Sequence, residues 1–307
     1  MRLVALILLG VSANSQPPLV IRTEVQLVRM LVTVKNSAGE LIGSLEKKDF
    51  ALTDCGVPQE VAVFERQTAQ PLSVALMIDI SGSTAKDLRY ETTSISRFLR
   101  AIFAEGNQED AVALFSFNYD VRQLTRFTRR QQQIESELKL LKPEGGTSLY
   151  DAIYLAAREL RQREGRRVMV IVTDGGNTTS NLNYKGALEA AQRADAILFP
   201  ILVVPITNDA GRNLGGERAL TTLAQDTGGR VFAPDVEHLD SAFADILRAL
   251  RTQYLIGYYP RNLPRDAPKF HPVSISVKPE AASRDSKQRA QDLRVSTRSG
   301  YYESSAH

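Results

Sequence analysis

The stretch LSVALMIDISGST, residues 72–84, decides how this chain is read. Its apolar run, Val74 to Ile78, shows no alternation and stops abruptly at Asp79. A strand buried on both faces of a parallel sheet has that pattern. Just past its end stand Ser81, Gly82 and Ser83. Open α/β sheets take their ligands at the carboxyl ends of their strands. One carboxylate and two hydroxyls at alternate positions make a compact set of oxygen donors, the ligand type that hard divalent cations accept.

Downstream, strand and helix patterns alternate. Apolar positions at helical spacing mark 88–102, 149–160, 185–194, 217–226 and 239–254. Apolar strands are expected at 111–117, 167–173 and 197–204, with a short one at 230–233. This order implies a doubly wound, mainly parallel α/β sheet over 71–254. The flanks differ. Residues 25–35, 41–45, 50–54 and 61–65 read as strands, with turn signals at 36–39 and at Gly56-Val57-Pro58. After Tyr254, strand patterns return at 255–259, 273–277 and 293–297, around a polar excursion at 278–292. Neither flank alone can bury an adequate core. The economical arrangement is one small all-β, sandwich-like domain from 17–70 and 255–303, with the α/β unit inserted.

Two more loops bring oxygen donors to the same sheet edge. Glu144-Gly145-Gly146-Thr147-Ser148 precedes the helix at 149–160, and Asp174 ends the strand at 167–173 as Asp79 ends the first. Gly145, Gly146 and Gly175 let the backbone come close to the site. The candidate metal ligands are therefore Asp79, Ser81, Ser83, Thr147 and Asp174. Three neutral hydroxyls are weak donors. With the carboxylates acting partly through water, an octahedral ion keeps residual charge and an exchangeable position. A partner's Asp or Glu fills it.

These three motifs, Asp79-Ile80-Ser81-Gly82-Ser83, Gly146-Thr147-Ser148 and Thr173-Asp174-Gly175, resemble those of a von Willebrand factor type A (VWA) domain. The five oxygen residues match that family's metal-ion-dependent adhesion site (MIDAS). The flanking Lys48-Asp49-Phe50, Gly56-Val57-Pro58-Gln59 and 254–260 are similar to exported VWA-related proteins common in Acidobacteria. Two positions depart from that pattern: Cys55, where an acidic residue is usual, and Asn177, where Asp is frequent. The resemblance implies a Rossmann-like fold, Mg²⁺ (with Mn²⁺ or Ca²⁺ as alternatives) and adhesion-type protein binding without catalysis. A structural or envelope-assembly role, the metal only stiffening loops, is the alternative.

Bulk properties narrow the classes. Of 307 residues, 43% are hydrophobic and 24% charged, as in a globular protein. A net charge of +3 argues against a nucleic-acid partner, and the basic cluster 122–130 reads as a solvated strand–turn–helix face. Cys55 is the single cysteine, so no intrachain disulfide forms, and it reads as a small apolar filler. Arg2, the apolar run 3–11 and the small and polar residues to Gln16 have the order of a signal peptide, 1–16. No later run is long enough to span a bilayer. The expected location is periplasmic or extracellular. Haloacid-dehalogenase-like phosphotransfer is a remote enzyme alternative, but it needs an acid where Ser81 stands. No G-x-S-x-G or P-loop motif is present.

Overall fold

A computed structural model describes residues 27–66, 70–84, 88–203, 213–279 and 293–303. The expected signal segment, and most of the excursion at 278–292, lie outside the described residues.

The strands are β1 (Val28–Lys35), β2 (Phe50–Asp54), β3 (Val57–Pro58), β4 (Val63–Glu65), β5 (Leu72–Asp79), β6 (Ala111–Phe117), β7 (Val121–Gln123), β8 (Arg166–Thr173), β9 (Ala196–Leu202), β10 (Tyr254–Tyr258), β11 (Phe270–Val277), β12 (Arg294–Ser296) and β13 (Gly300–Tyr302). The helices are α1 (Leu88–Glu105), α2 (Gln131–Leu138), α3 (Leu149–Leu160), α4 (Tyr184–Arg193), α5 (Leu214–Asp226) and α6 (Leu239–Arg251).

The central sheet has the order β7-β6-β5-β8-β9. All pairs are parallel except β6 with the edge strand β7. Every residue of β5 is buried, because helices cover both faces. Leu72, Val74, Leu76 and Ile78 face α1, α2 and α6, and Ala75 and Met77 face α3, α4 and α5. The chain leaves β5 for β6 on one side and later returns to β8 on the other. The order therefore reverses beside β5, the place where doubly wound sheets open a crevice.

The flanks form two antiparallel four-stranded sheets, β12-β1-β10-β4 and β13-β11-β2-β3, each with strands from both ends of the chain. They share one core, including Met30, Val32, Leu52, Tyr254, Ile256 and Ile275. Tyr254 is fully buried against Phe50 and Phe64. Its hydroxyl accepts from Leu45 N–H at 3.0 Å and donates to Ile42 C=O at 2.7 Å.

Two local expectations need correction, at 41–45 and 230–233. Residues 41–45 form no strand; a single bridge joins Leu41 to Lys35. Residues 230–233 likewise contribute one bridge, Phe232 to Ile201. The strands at 50–54 and 61–65 lie in different sheets, since Phe50–Asp54 turns back at once to pair with Val57–Pro58. At 41–45 and 230–233 tertiary pairing overrides local strand propensity.

Arg166 joins the two parts of the molecule. Its backbone N–H donates to Pro71 C=O at 2.8 Å. Its guanidinium donates to Gln70 C=O at 3.1 Å and to Leu250 C=O at 2.6 Å. Both chain crossings between sandwich and α/β unit are thus held by one side chain, only 8% exposed.

Replacing Tyr254 with Phe leaves the buried Leu45 N–H and the part-buried Ile42 C=O without this partner, which costs about 2 kcal/mol. Urea denaturation monitored on the sandwich should show a loss near that size, with the loops at the carboxyl end of the central sheet undisturbed.

Candidate functional site

Asp79 is the last residue of β5 and has no solvent exposure. Its carboxylate is held from both sides. Ser81 N–H donates to Oδ1 at 2.9 Å, and the Thr173 hydroxyl donates to Oδ2 at 2.6 Å. Burial, with the nearby Asp174 charge adding to it, raises the Asp79 carboxyl to about 6, against the two donated hydrogen bonds. Each oxygen keeps lone-pair capacity for a further partner.

The turn after β5 is fixed by Thr84, whose hydroxyl donates to the carbonyls of Asp79 (2.9 Å) and Ser81 (3.0 Å). That turn presents the Ser81 and Ser83 hydroxyls 3.1 Å apart, Ser81 buried and Ser83 exposed. The β5 loop then pairs with the loop that carries Thr147. Ser81 bridges Glu144, and Glu144 N–H donates to Ile80 C=O at 2.8 Å.

Thr147 is 5% exposed and tied through its backbone to the third loop. Its N–H donates to the Thr178 hydroxyl at 2.9 Å, and its carbonyl accepts from Thr178 and Thr179 N–H. Asp174 follows β8, and its Oδ1 accepts from Gly176 N–H at 2.9 Å. A Cβ on Gly176 would sit 3.2 Å from Asp174 Oδ1 and 3.4 Å from Thr147 Oγ1. These two donors thus share a cradle that a side chain would crowd.

The third loop is pinned to the first turn of α3. Asp151 accepts from the N–H groups of Asn181 and Leu182 at 2.8 and 2.9 Å. Asn177 accepts from the Ser180 hydroxyl, and Ser180 in turn accepts from Tyr150 N–H. The Asn177 departure therefore serves loop anchoring. Among the expected glycines, Gly146 is required: φ is +80°, and its Cβ would lie 2.9 Å from Tyr119 Cβ. Gly175 is also at positive φ, whereas Gly145 has open space around it and no such need.

All five proposed ligands therefore sit on three loops at one rim, beside the point where the strand order reverses. Two carboxylates and three hydroxyls fit a hard divalent cation. Sequence reading quoted Thr173 and Thr84 without giving them a role, and it did not find Asn118. The Asn118 side-chain amide donates to Glu144 at 3.3 Å, and the Asn118 backbone carbonyl accepts from Ser148 N–H. Only Thr173 carried a signal, standing directly before Asp174.

Among the described residues no helix is long and apolar enough to cross a membrane. No curated protein matches the chain. Among solved structures, the vWF domain of the type V pili tip protein Mfa5 from Porphyromonas gingivalis is similar, with a TM-score of 0.51 and 14% identity. That match covers 65% of this chain and 99% of that one. The pilus adhesin SpaC from Lactobacillus rhamnosus GG has a TM-score of 0.50 and 10% identity, over 76% of this chain and 46% of that one. An aerotolerance-related membrane protein from Bacteroides fragilis has a TM-score of 0.47 and 23% identity, over 58% and 98%. Residues 74–177, which include all five rim donors, match the sequence model of the von Willebrand factor type A domain. The α/β unit of this chain is therefore a von Willebrand factor type A domain.

Proposed function

We propose that the sheet rim is a divalent-cation-dependent protein-binding site of adhesion type, not an enzyme active site. The observation that supports this most is the donor set itself, five oxygen ligands from three separate loops with their backbones hydrogen-bonded in place. A bound Mg²⁺ would supply a positive centre with one exchangeable position for a partner's Asp or Glu carboxylate. The chain's own residues do the rest. Thr173 and Ser81 N–H orient the Asp79 carboxylate, Gly176 N–H orients that of Asp174, and Thr84 sets the spacing of the two serine hydroxyls. Mn²⁺ and Ca²⁺ take the same ligand chemistry. An exported location, periplasmic or extracellular, belongs to this reading, with residues 1–16 as the export signal. The pilus-tip and pilus-adhesin neighbours share the fold and accord with such a setting.

The direct test is calorimetry with Mg²⁺ on the wild type and on Asp79→Ala. Wild type should bind one ion. The variant should lose at least tenfold in affinity while keeping its circular dichroism, and undiminished affinity would overturn the assignment. Partner capture from an extract of the source organism should require Mg²⁺ and fail with chelator. Capture indifferent to chelator would leave the metal a structural role only.

Proton competition gives a second check. The fold favours the protonated Asp79 when no cation is present, since its carboxyl lies near 6, above its ordinary value. That contribution is complete below about pH 4 and is lost as pH rises through about 6. Saturating Mg²⁺ should therefore raise the melting temperature strongly at pH 8 and little at pH 5. An equal shift at both values would count against Asp79 as a ligand.

A further inference from the structure

The sandwich assembles a donor set of different chemistry. Cys55 and Gly56 make the two-residue loop between β2 and β3, with φ of +48° and +78°. Asn-Gly or Asp-Gly suits such a hairpin turn; a cysteine has no local reason to be there. Nor is it the apolar filler expected from sequence, since it is only partly buried and lies beside the Asp54 carboxylate and the His271 ring. Its N–H donates to Pro272 C=O at 2.9 Å, which docks the turn beside His271 on β11.

Asp54, the last residue of β2, has no solvent exposure, and His271 is 5% exposed. Asp54 Oδ2 accepts from the hydroxyls of both Tyr258 and Tyr301, each at 2.9 Å. Asp54 Oδ1 accepts no hydrogen bond. It is turned toward His271, whose Nδ1 lies 3.5 Å away. Tyr301 spends its proton on Asp54, so at 3.2 Å it presents only a lone pair to His271 Nδ1. Asp54 Oδ1 is thus a fully buried carboxylate oxygen without a hydrogen-bond partner, facing an imidazole nitrogen and a thiol, a position that a cation can satisfy. One ligand atom each from Asp54, Cys55 and His271 lies within 4.8 Å of the others. Ligands of a tetrahedral zinc ion are roughly 3.3–3.8 Å apart at its usual bond lengths. The Asp54–His271 pair already has that spacing, and the Cys55 turn needs only a small inward shift.

We propose that Asp54, Cys55 and His271 form a second metal site, selective for a thiophilic divalent ion of the Zn²⁺ class, with water entering past Cys55 to the fourth position. Sulfur, nitrogen and carboxylate oxygen together suit Zn²⁺ or Co²⁺, whereas Mg²⁺ prefers oxygen alone. The proposal is independent of the sheet rim, which has no thiolate.

Cobalt is the probe, because only a thiolate site gives it a near-ultraviolet sulfur-to-metal charge-transfer band. Titrating the full, metal-stripped chain with Co²⁺ should produce that band and tetrahedral visible bands, saturating at one equivalent. Zn²⁺ should abolish them, and a hundredfold excess of Mg²⁺ should not. Cys55→Asn should lose the charge-transfer band while folding normally, because Asn suits the positive φ. His271→Gln should weaken Co²⁺ binding at least tenfold, and Asp79→Ala should leave the band intact. A wild type without the band at one equivalent would overturn the proposal. A band unchanged in His271→Gln would overturn it too, and the Cys55→Asn comparison keeps the test decisive should that variant unfold.

Discussion

A carboxylate with no contact to water terminates the central strand, and the α/β unit is arranged to tolerate it. Burying an ionised group costs several kcal/mol unless its charge is met by donors or by a counter-charge. Two donors meet Asp79, the Thr173 hydroxyl from β8 and the Ser81 amide from its own turn. They do not suffice to hold the carboxyl at its ordinary value. The carboxyl therefore either takes up a proton or, on the proposed reading, meets a cation at the rim. Hydroxyls and a second carboxylate gather at that same rim.

The core of this plan was legible in the sequence because it depends on local patterns. An unbroken apolar run ending in Asp79, and a second ending at Asp174, reveal strands covered on both sides and the side of the sheet where they stop. Thr147 was legible because two glycines preceded it and a helix followed. What escaped acts across long separations. Thr173 reaches Asp79 over ninety-four positions, and Asn118 reaches Glu144 over twenty-six. Neither link leaves a periodic trace. The edge strand β7 and the helix α2 are short, and their boundaries depend on partners that are distant in sequence, such as the bridge from Thr128 to Val112.

The flanks teach a related lesson. Alternation marks β1 and β11 clearly, yet sheet membership is decided by what the opposite end of the chain supplies. β1 lies between β10 and β12, and β2 between β11 and β3. A segment such as 41–45 has strand-like residues but finds its polar partner in the Tyr254 hydroxyl, so it runs as an ordered loop. The same distant pairing explains why the acidic residue at the end of β2 could not be assigned a role by inspection. Its two phenol donors stand on β10 and β13.

The double crossing gripped by Arg166 has a mechanical consequence. The rim where a partner would pull lies at the carboxyl end of the strands. Gln70, Pro71 and Leu250 sit together at the opposite end. Tension from the rim therefore travels along the strands and enters the sandwich through two neighbouring chain segments that share one guanidinium. Two parallel anchors, each continuing into a different part of the sandwich, divide the force. Neither must bear it alone, and stretching either one first strains a buried charged hydrogen-bond cluster instead of peeling a sheet edge.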